Sequence, residues 1–343
     1  MGILIQKGGL LTTVQDRGFF GYQHQGVSCT GAADLRAYET ANVLVGNYDG
    51  EAALETTIAG LELRVTEDTV IAITGGNLQP RLNDRDVPMY CAFSVKNGDI
   101  LHFSGRKTGC RAYIAFAGGL DLPLLFGSRS TYLSAAIGGF QGRKLQPTDT
   151  IGFLAPRAVL PQQQRRRCQP VDYSGKEITL RAVPGPQYDL FSAQGKATFF
   201  GSPYTATMQM NRIAARLQGE IVEFAPESNG RIVSDGVCTG TVQVPPNGWP
   251  IVMLCDAATT GGYAKIATVV SVDIPLLAQA MPGTSIRFKE ISAEEAQQLY
   301  LEEYTRREAF IAEMRALQEP EVPVREFRIV LNDRIYHATV QEL

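Results

Sequence analysis

Histidine and tryptophan are scarce in this chain: His24, His102 and His337 are its three histidines, and one tryptophan occurs in 343 residues. The histidines are scattered, with no i, i+4 pair and no cysteine partner, so they supply no zinc site of the usual spacing, and no metal is expected. An excess of one charge is also missing, because 32 Lys and Arg face 35 Asp and Glu, for a net charge of -3. Lacking a concentrated basic face, the chain is not expected to bind nucleic acid. Its one basic run, Arg165-Arg166-Arg167, lies among Gln and Pro and reads as a solvated linker. No apolar stretch approaches the ~20 residues of a membrane span, and residues 1–15 hold no apolar core of signal-peptide length. The expected location is therefore cytoplasmic, with no membrane partner. Six cysteines include no C-x-x-C pair and mostly sit in apolar runs, as small buried hydrophobes do in a reducing compartment. Only Cys29, in a Gly-rich segment, stands out as a candidate reactive thiol. Also absent are the phosphate loop G-x-x-x-x-G-K-S/T and a strand-linked G-x-G-x-x-G, and Gly26 to Gly31 lacks the spacing of a nucleophile elbow. A hydrolase working alone is disfavoured.

What is present is short β-branched or alternating runs punctuated by turns, such as Val70-Ile71-Ala72-Ile73-Thr74 and Ile251-Val252-Met253-Leu254. A turn followed by a polar residue and an alternating strand recurs at Asn97 to Phe103, Pro147 to Phe153 and Pro282 to Phe288, which hints at related β modules in the two halves. An apolar content of 44% over this length is enough for more than one core, so two mainly β domains are expected, over residues 1–165 and 176–291. The boundary falls in Pro156 to Gly175, where Pro, Gln and Arg displace the alternation. Two helices are predicted. One runs from Leu35 to Val45 behind Asp34 as N-cap and stops at Gly46-Asn47; the other runs from about Ala293 to Leu317 behind the capping box Ser292 to Glu295. The remainder of 292–343 reads as a hairpin-like tail turning at Asn332-Asp333.

Polar residues with chemical potential concentrate in two Gly-rich segments far apart in sequence, Gln15 to Asp34 and Gln243 to Tyr263. Such loops bring backbone donors and short side chains close to what they face, and together they suggest one composite cleft. Asp16 and Asp34 form a candidate carboxylate pair for orienting substrate or moving a proton, although Asp34 equally suits a plain N-cap. His24 is either a ligand contact or a surface histidine. Gln243, two residues before Pro245-Pro246, is a side chain aimed at the cleft, while Asn247-Gly248 is a candidate contact or a turn. Thr259-Thr260-Gly261-Gly262 has the composition of an anion nest, or of a tight barrel corner, with Lys265 close behind to add charge. Arg129, between Ser128 and Ser130, and Arg143 after Gly142 are further candidates for an acidic group, with Arg129 favoured.

The runs Thr13 to Gly18, Gly21 to Val27, Thr30 to Asp34, Glu55-Thr56-Thr57, Arg111 to Asp121, Gly127 to Thr131, Gly138 to Arg143 and Gln243 to Ile266 together resemble the allophanate hydrolase subunit 2, or biotin-dependent carboxyltransferase, family over roughly Gly2 to Glu290. The resemblance implies two tandem cyclophilin-like β-barrel domains with a few helices. It also implies work as the C subunit of an ATP-dependent 5-oxoprolinase-like complex, beside A-like and B-like partner proteins of that complex, on a small amide or lactam. Two alternatives follow from it: carboxyl transfer from carboxybiotin to urea or a related amide, and a non-catalytic protein that antagonises a kinase inhibitor. No tightly bound cofactor is implied, the ATP being used by the complex. In either chemistry Asp256 would hold or deprotonate the amide nitrogen while N–H and hydroxyl donors stabilise the oxyanion. The chain departs from the family at Gly18-Phe19 and at Ala257-Ala258, where Arg and Gln donors are usual.

Overall fold

The computed structural model describes residues 2–48 and 50–318 in full, and the strands Val324–Leu331 and Arg334–Gln341 as backbone. The architecture is mainly β, in two bodies. In the first, a seven-stranded and a five-stranded sheet enclose a core of Ile3, Leu54, Leu63, Ile73, Ile114 and Phe116 with their neighbours. Leu61–Val65 alternates between core and solvent-facing sides, as a half-covered strand should. Thr108–Phe116 is buried almost throughout, because it is flanked by Ala53–Thr57 and Thr69–Asn77 and its outer face is covered by the helix Leu35–Leu44. A strand covered on both faces loses its alternation, which explains the continuous run Ala112 to Phe116.

The second body is an eight-stranded sheet that closes on itself. Glu177–Pro184 pairs in parallel with Ser285–Glu290 on one side and antiparallel with Thr260–Val269 on the other, completing a ring around Leu180, Phe199, Val242, Val252, Ile266 and Phe288. Arg231–Gly236 lies outside the ring as an added edge strand.

The recurring turn has a physical basis. In all three copies the third turn residue has positive φ (Gly98 +96°, Thr148 +76°, Gly283 +90°), as in a type II turn. In all three the fourth residue's side chain accepts the backbone N–H three residues back: Asp99 from Lys96, Asp149 from Gln146, Thr284 from Met281. The strands that follow are Ile100–Phe103, Thr150–Phe153 and Ser285–Glu290.

Both predicted helices form. Asp34 caps Leu35–Leu44 by accepting from Ala37 N, and Ala293–Ala316 begins with the full Ser292–Glu295 capping box. The second returns to the first body, where Ile311, Met314 and Leu317 join the cluster around Tyr38 and Leu44. Two further helices, Ala193–Gly201 and Ile274–Ala278, were not expected from sequence. Gly195 weakens the first as a pattern, yet a Cβ there would lie 2.1 Å from Glu223 O, so close packing requires the glycine. The linker reading of Arg165-Arg166-Arg167 needs correction at its centre. Arg166 is fully buried, its carbonyl accepts from Ala92 N at 2.9 Å, and Cys168 N donates to Tyr90 O, so the segment adds backbone pairing to the first body. Val324–Leu331 and Arg334–Gln341 pair antiparallel, while the expected turn at Asn332-Asp333 lies outside the described residues.

Candidate active site at the domain interface

The first Gly-rich segment is a pair of crossing backbones. Gly18 and Gly31 both have positive φ, and a Cβ would stand 2.2 Å from Cys29 O at Gly18 and 2.7 Å from Arg17 O at Gly31. Only glycine permits that approach. Asp16 fastens the crossing: its Oδ1 accepts from Gly18 N (2.8 Å), Ser128 Oγ (2.5 Å) and Ser130 Oγ (2.5 Å), and its Oδ2 from Arg129 N (2.5 Å). The Arg129 side chain turns away, donating to Leu122 O at 2.9 Å with Glu51 3.7 Å off, and Arg143 forks onto Asp149. His24 sits on the exposed turn Gln23–Gln25 beside the Gln25 amide. Burial raises the Cys29 thiol above its ordinary value, against a lowering hydrogen bond from Gln23. That favours the neutral thiol over an activated nucleophile.

The two segments meet inside the domain interface. Thr30 donates to Asp256 Oδ1 at 2.6 Å, and Thr30 N to Cys255 O at 2.8 Å. Arg212 then grips four partners: Nε and Nη2 reach the two Asp256 oxygens at 2.9 Å each, Nη2 also reaches Gly31 O at 2.6 Å and Thr30 Oγ1 at 3.3 Å, and Nη1 reaches Glu55 Oε1 at 2.6 Å. Glu55 Oε2 accepts from Tyr113 Oη at 2.7 Å and Ala33 N at 2.9 Å, in the register that sets Glu55 opposite Tyr113. Beside this network Asp34 Oδ2 accepts from Tyr173 Oη and Gln279 Nε2, both at 2.8 Å, while the Gln279 oxygen accepts from Cys110 N and Arg111 N. Burial raises the Asp34 carboxyl, and the hydrogen bonds from Gln279, Ala37 N and Tyr173 only partly oppose it. For Glu55 the same burial is outweighed by the Arg212 and Arg111 charges, which hold it below its ordinary value. The contact thus runs through Thr30 to Asp256 and Asp34 to Gln279, in a packed interface where Thr30 is 5% and Asp256 4% exposed.

In the second segment, Gln243 is buried against Gly261, with its Nε2 lacking a hydrogen-bond partner. Lys265 is committed to Asp235 (2.5 Å) and Gly236 O (2.9 Å). Asn247 occupies the turn Pro245 to Gly248, closed by Gly248 N donating to Pro245 O. Thr259 is half-buried and accepts from Val237 N; Thr260 is exposed where Thr260–Val269 pairs with the edge strand. Sequence reasoning missed Arg212, Glu55, Arg111, Tyr113, Tyr173 and Gln279. Glu55, Arg111 and Tyr113 lie in motif runs already noted, whereas nothing local marks Arg212 in its turn after Asn211. Among the described residues no group of three or more His, Cys, Asp or Glu is placed to hold a metal, and no helix is long and apolar enough to cross a membrane.

Two β bodies are thus joined by a buried ion network at which the Gly-rich loops meet. The chain belongs to the family described as carboxyltransferase domain, subdomain A and B, whose model matches residues 25–290. It is 38% identical over 309 residues to the C subunit of the 5-oxoprolinase of Escherichia coli, covering 87% of this chain and 96% of that one. It is 31% identical to the urea amidolyase of Lachancea kluyveri over 85% of its own length, which is 17% of that protein. The crystal structure of the Kluyveromyces lactis urea carboxylase superposes with a TM-score of 0.83 at 26% identity, covering 99% of this chain and 32% of that one.

Proposed function

We propose that the chain is the C subunit of a 5-oxoprolinase-like complex and contributes, with its A-like and B-like partners and ATP, to opening a lactam to an amino acid. The observation that carries this reading is the likeness to a free-standing C subunit over nearly that protein's whole length, whereas the urea amidolyase likeness covers a small part of a much longer protein. The interface chemistry suits the task. Asp16, Asp34 and Asp256 have their oxygens filled by protein donors and hold the loops in place. His24, Thr259, Thr260 and the unpartnered Gln243 amide of the same two segments remain as groups for a polarised amide oxygen or nitrogen. Arg129 braces the first loop through its backbone N–H to Asp16, Asn247 lies in the turn Pro245 to Gly248, and Lys265 holds the edge strand Arg231–Gly236. No tightly bound cofactor is needed for these roles, and the ATP is used by the complex. The test mixes the purified chain with its genomic-neighbour proteins, ATP and 5-oxoproline, and measures glutamate. Formation only when all three proteins are present is expected; no glutamate, with carboxybiotin consumed in a parallel urea mixture, would transfer the assignment to carboxyl transfer.

A further inference from the structure

A separate cavity of about 380 Å³ opens where the helix Leu35–Leu44, the segment around Cys168 and the helix Ala293–Ala316 converge with Ser271 to Pro275 of the second body. It shares no residue with the loops above. Its wall is largely apolar, including Leu35, Val43, Val272, Pro275 and Phe310. Burial pushes the Cys168 thiol up to about 11, so it adds a neutral surface. Ionic groups converge at one side: three guanidiniums, Arg36, Arg306 and Arg307, against two carboxylates, Glu39 and Glu303. Arg307 Nη1 spans both Glu39 oxygens at 3.2 and 3.3 Å, Glu39 is also 3.2 Å from Arg17, and Arg306 pairs with Glu303. Arg36 is left with no carboxylate within ion-pair distance among the described residues, and both Arg36 Nε and Arg307 Nε are buried without an acceptor.

The geometry points to a binding site for a small apolar carboxylate, with its ring or chain against Val43, Val272 and Phe310 and its carboxylate on Arg36. Arg36 lines the cavity with a charge that no carboxylate meets at ion-pair distance among the described residues, and a carboxylate meets a guanidinium through two charge-assisted bonds. The volume and the domain-interface position are those of small-ligand pockets, which run from about 300 to 1,000 Å³ with a few convergent polar groups. Because the wall draws on both bodies and on the helix that clasps them, the ligand stabilises their docked arrangement.

The probes are phenylacetate and, as its uncharged counterpart, 2-phenylethanol, titrated into the full chain by calorimetry and followed by co-crystallisation. Phenylacetate binding about tenfold or more tighter than phenylethanol is expected, with a raised melting temperature and a carboxylate at Arg36 in the crystal. Arg36→Gln weakens phenylacetate about tenfold or more and leaves phenylethanol unchanged; Thr40→Trp, which fills the cavity from its rim, blocks both. Should Thr40→Trp fail to fold, Arg36→Gln alone decides. Equal affinity for the two probes, no binding of either, as for a cavity that receives a partner protein's side chain, or unaltered phenylacetate binding by Arg36→Gln overturns the proposal.

Discussion

At the scale of single residues, hydrogen-bond saturation separates the carboxylates that hold the molecule together from the groups left to act. Asp16 satisfies two hydroxyls and two backbone N–H groups at once. Asp16→Ala strands all four donors beneath a buried crossing, and a loss of more than about 3 kcal/mol is expected in urea unfolding. Asp34 and Glu55 lie in one interface with opposite pH signatures. The folded-state value of Asp34 is raised, so its contribution is complete below the ordinary carboxylate value and is lost as pH rises through the folded value. That of Glu55 is lowered, so its contribution is complete above its ordinary value and is lost as pH falls through the folded one. Urea midpoints measured from about pH 2 to about pH 8 should therefore show the wild-type advantage over Asp34→Asn shrinking upward in pH and that over Glu55→Gln shrinking downward, below the ordinary carboxylate value. Parallel trends for the two variants would contradict this assignment of charge.

At the scale of elements, the recurring turn is where sequence and structure agree most closely, because its chemistry is local: a left-handed third residue and a short acceptor side chain at the fourth. Thr148 is the misfit, a β-branched residue at φ +76° where the other copies carry glycine. Thr148→Gly at this exposed position should raise stability by up to about 1 kcal/mol, read as a higher urea midpoint; a destabilisation would mean that the Thr148 side chain contributes more than the strain it causes. The helices at Asp34 and Ser292 were legible for the same reason, since their caps are written within four residues. Ala193–Gly201 was not, because its glycine is required by the backbone of Glu223, in a loop distant in sequence. Arg166 escaped likewise: a central Arg in a polar run carries no local sign that Ala92 N will pair with its carbonyl.

At the scale of the whole molecule, the two Gly-rich segments were legible as partners, but the residue that joins them was not, since Arg212 becomes meaningful only once Glu55 and Asp256 face each other across the interface. Its guanidinium is the cation in ion-pair contact with both. Arg212→Ala leaves Asp256 buried without its counter-charge, Glu55 with Arg111 alone and Gly31 O without its donor, a change that costs about 3–5 kcal/mol in comparable buried pairs. Arg212 belongs to neither apolar core, so the loss should appear first as separation of the two bodies. Limited proteolysis of the variant is expected to cut within residues 156–175 at temperatures where the wild type is resistant. Arg212→Lys, which keeps the charge but presents no planar fork, should fall between the two. Combining Arg212→Met with Asp256→Asn, which leaves Glu55 in its ion pair with Arg111, removes the uncompensated charge and should recover much of the resistance, as replacement of buried ion pairs by neutral residues often does. Arg212→Ala with wild-type stability and an uncut boundary segment would show that the helix Ala293–Ala316, the Thr30 and Gln279 hydrogen bonds and apolar contact hold the bodies without it. The ion network would then be free to serve the reaction rather than the fold.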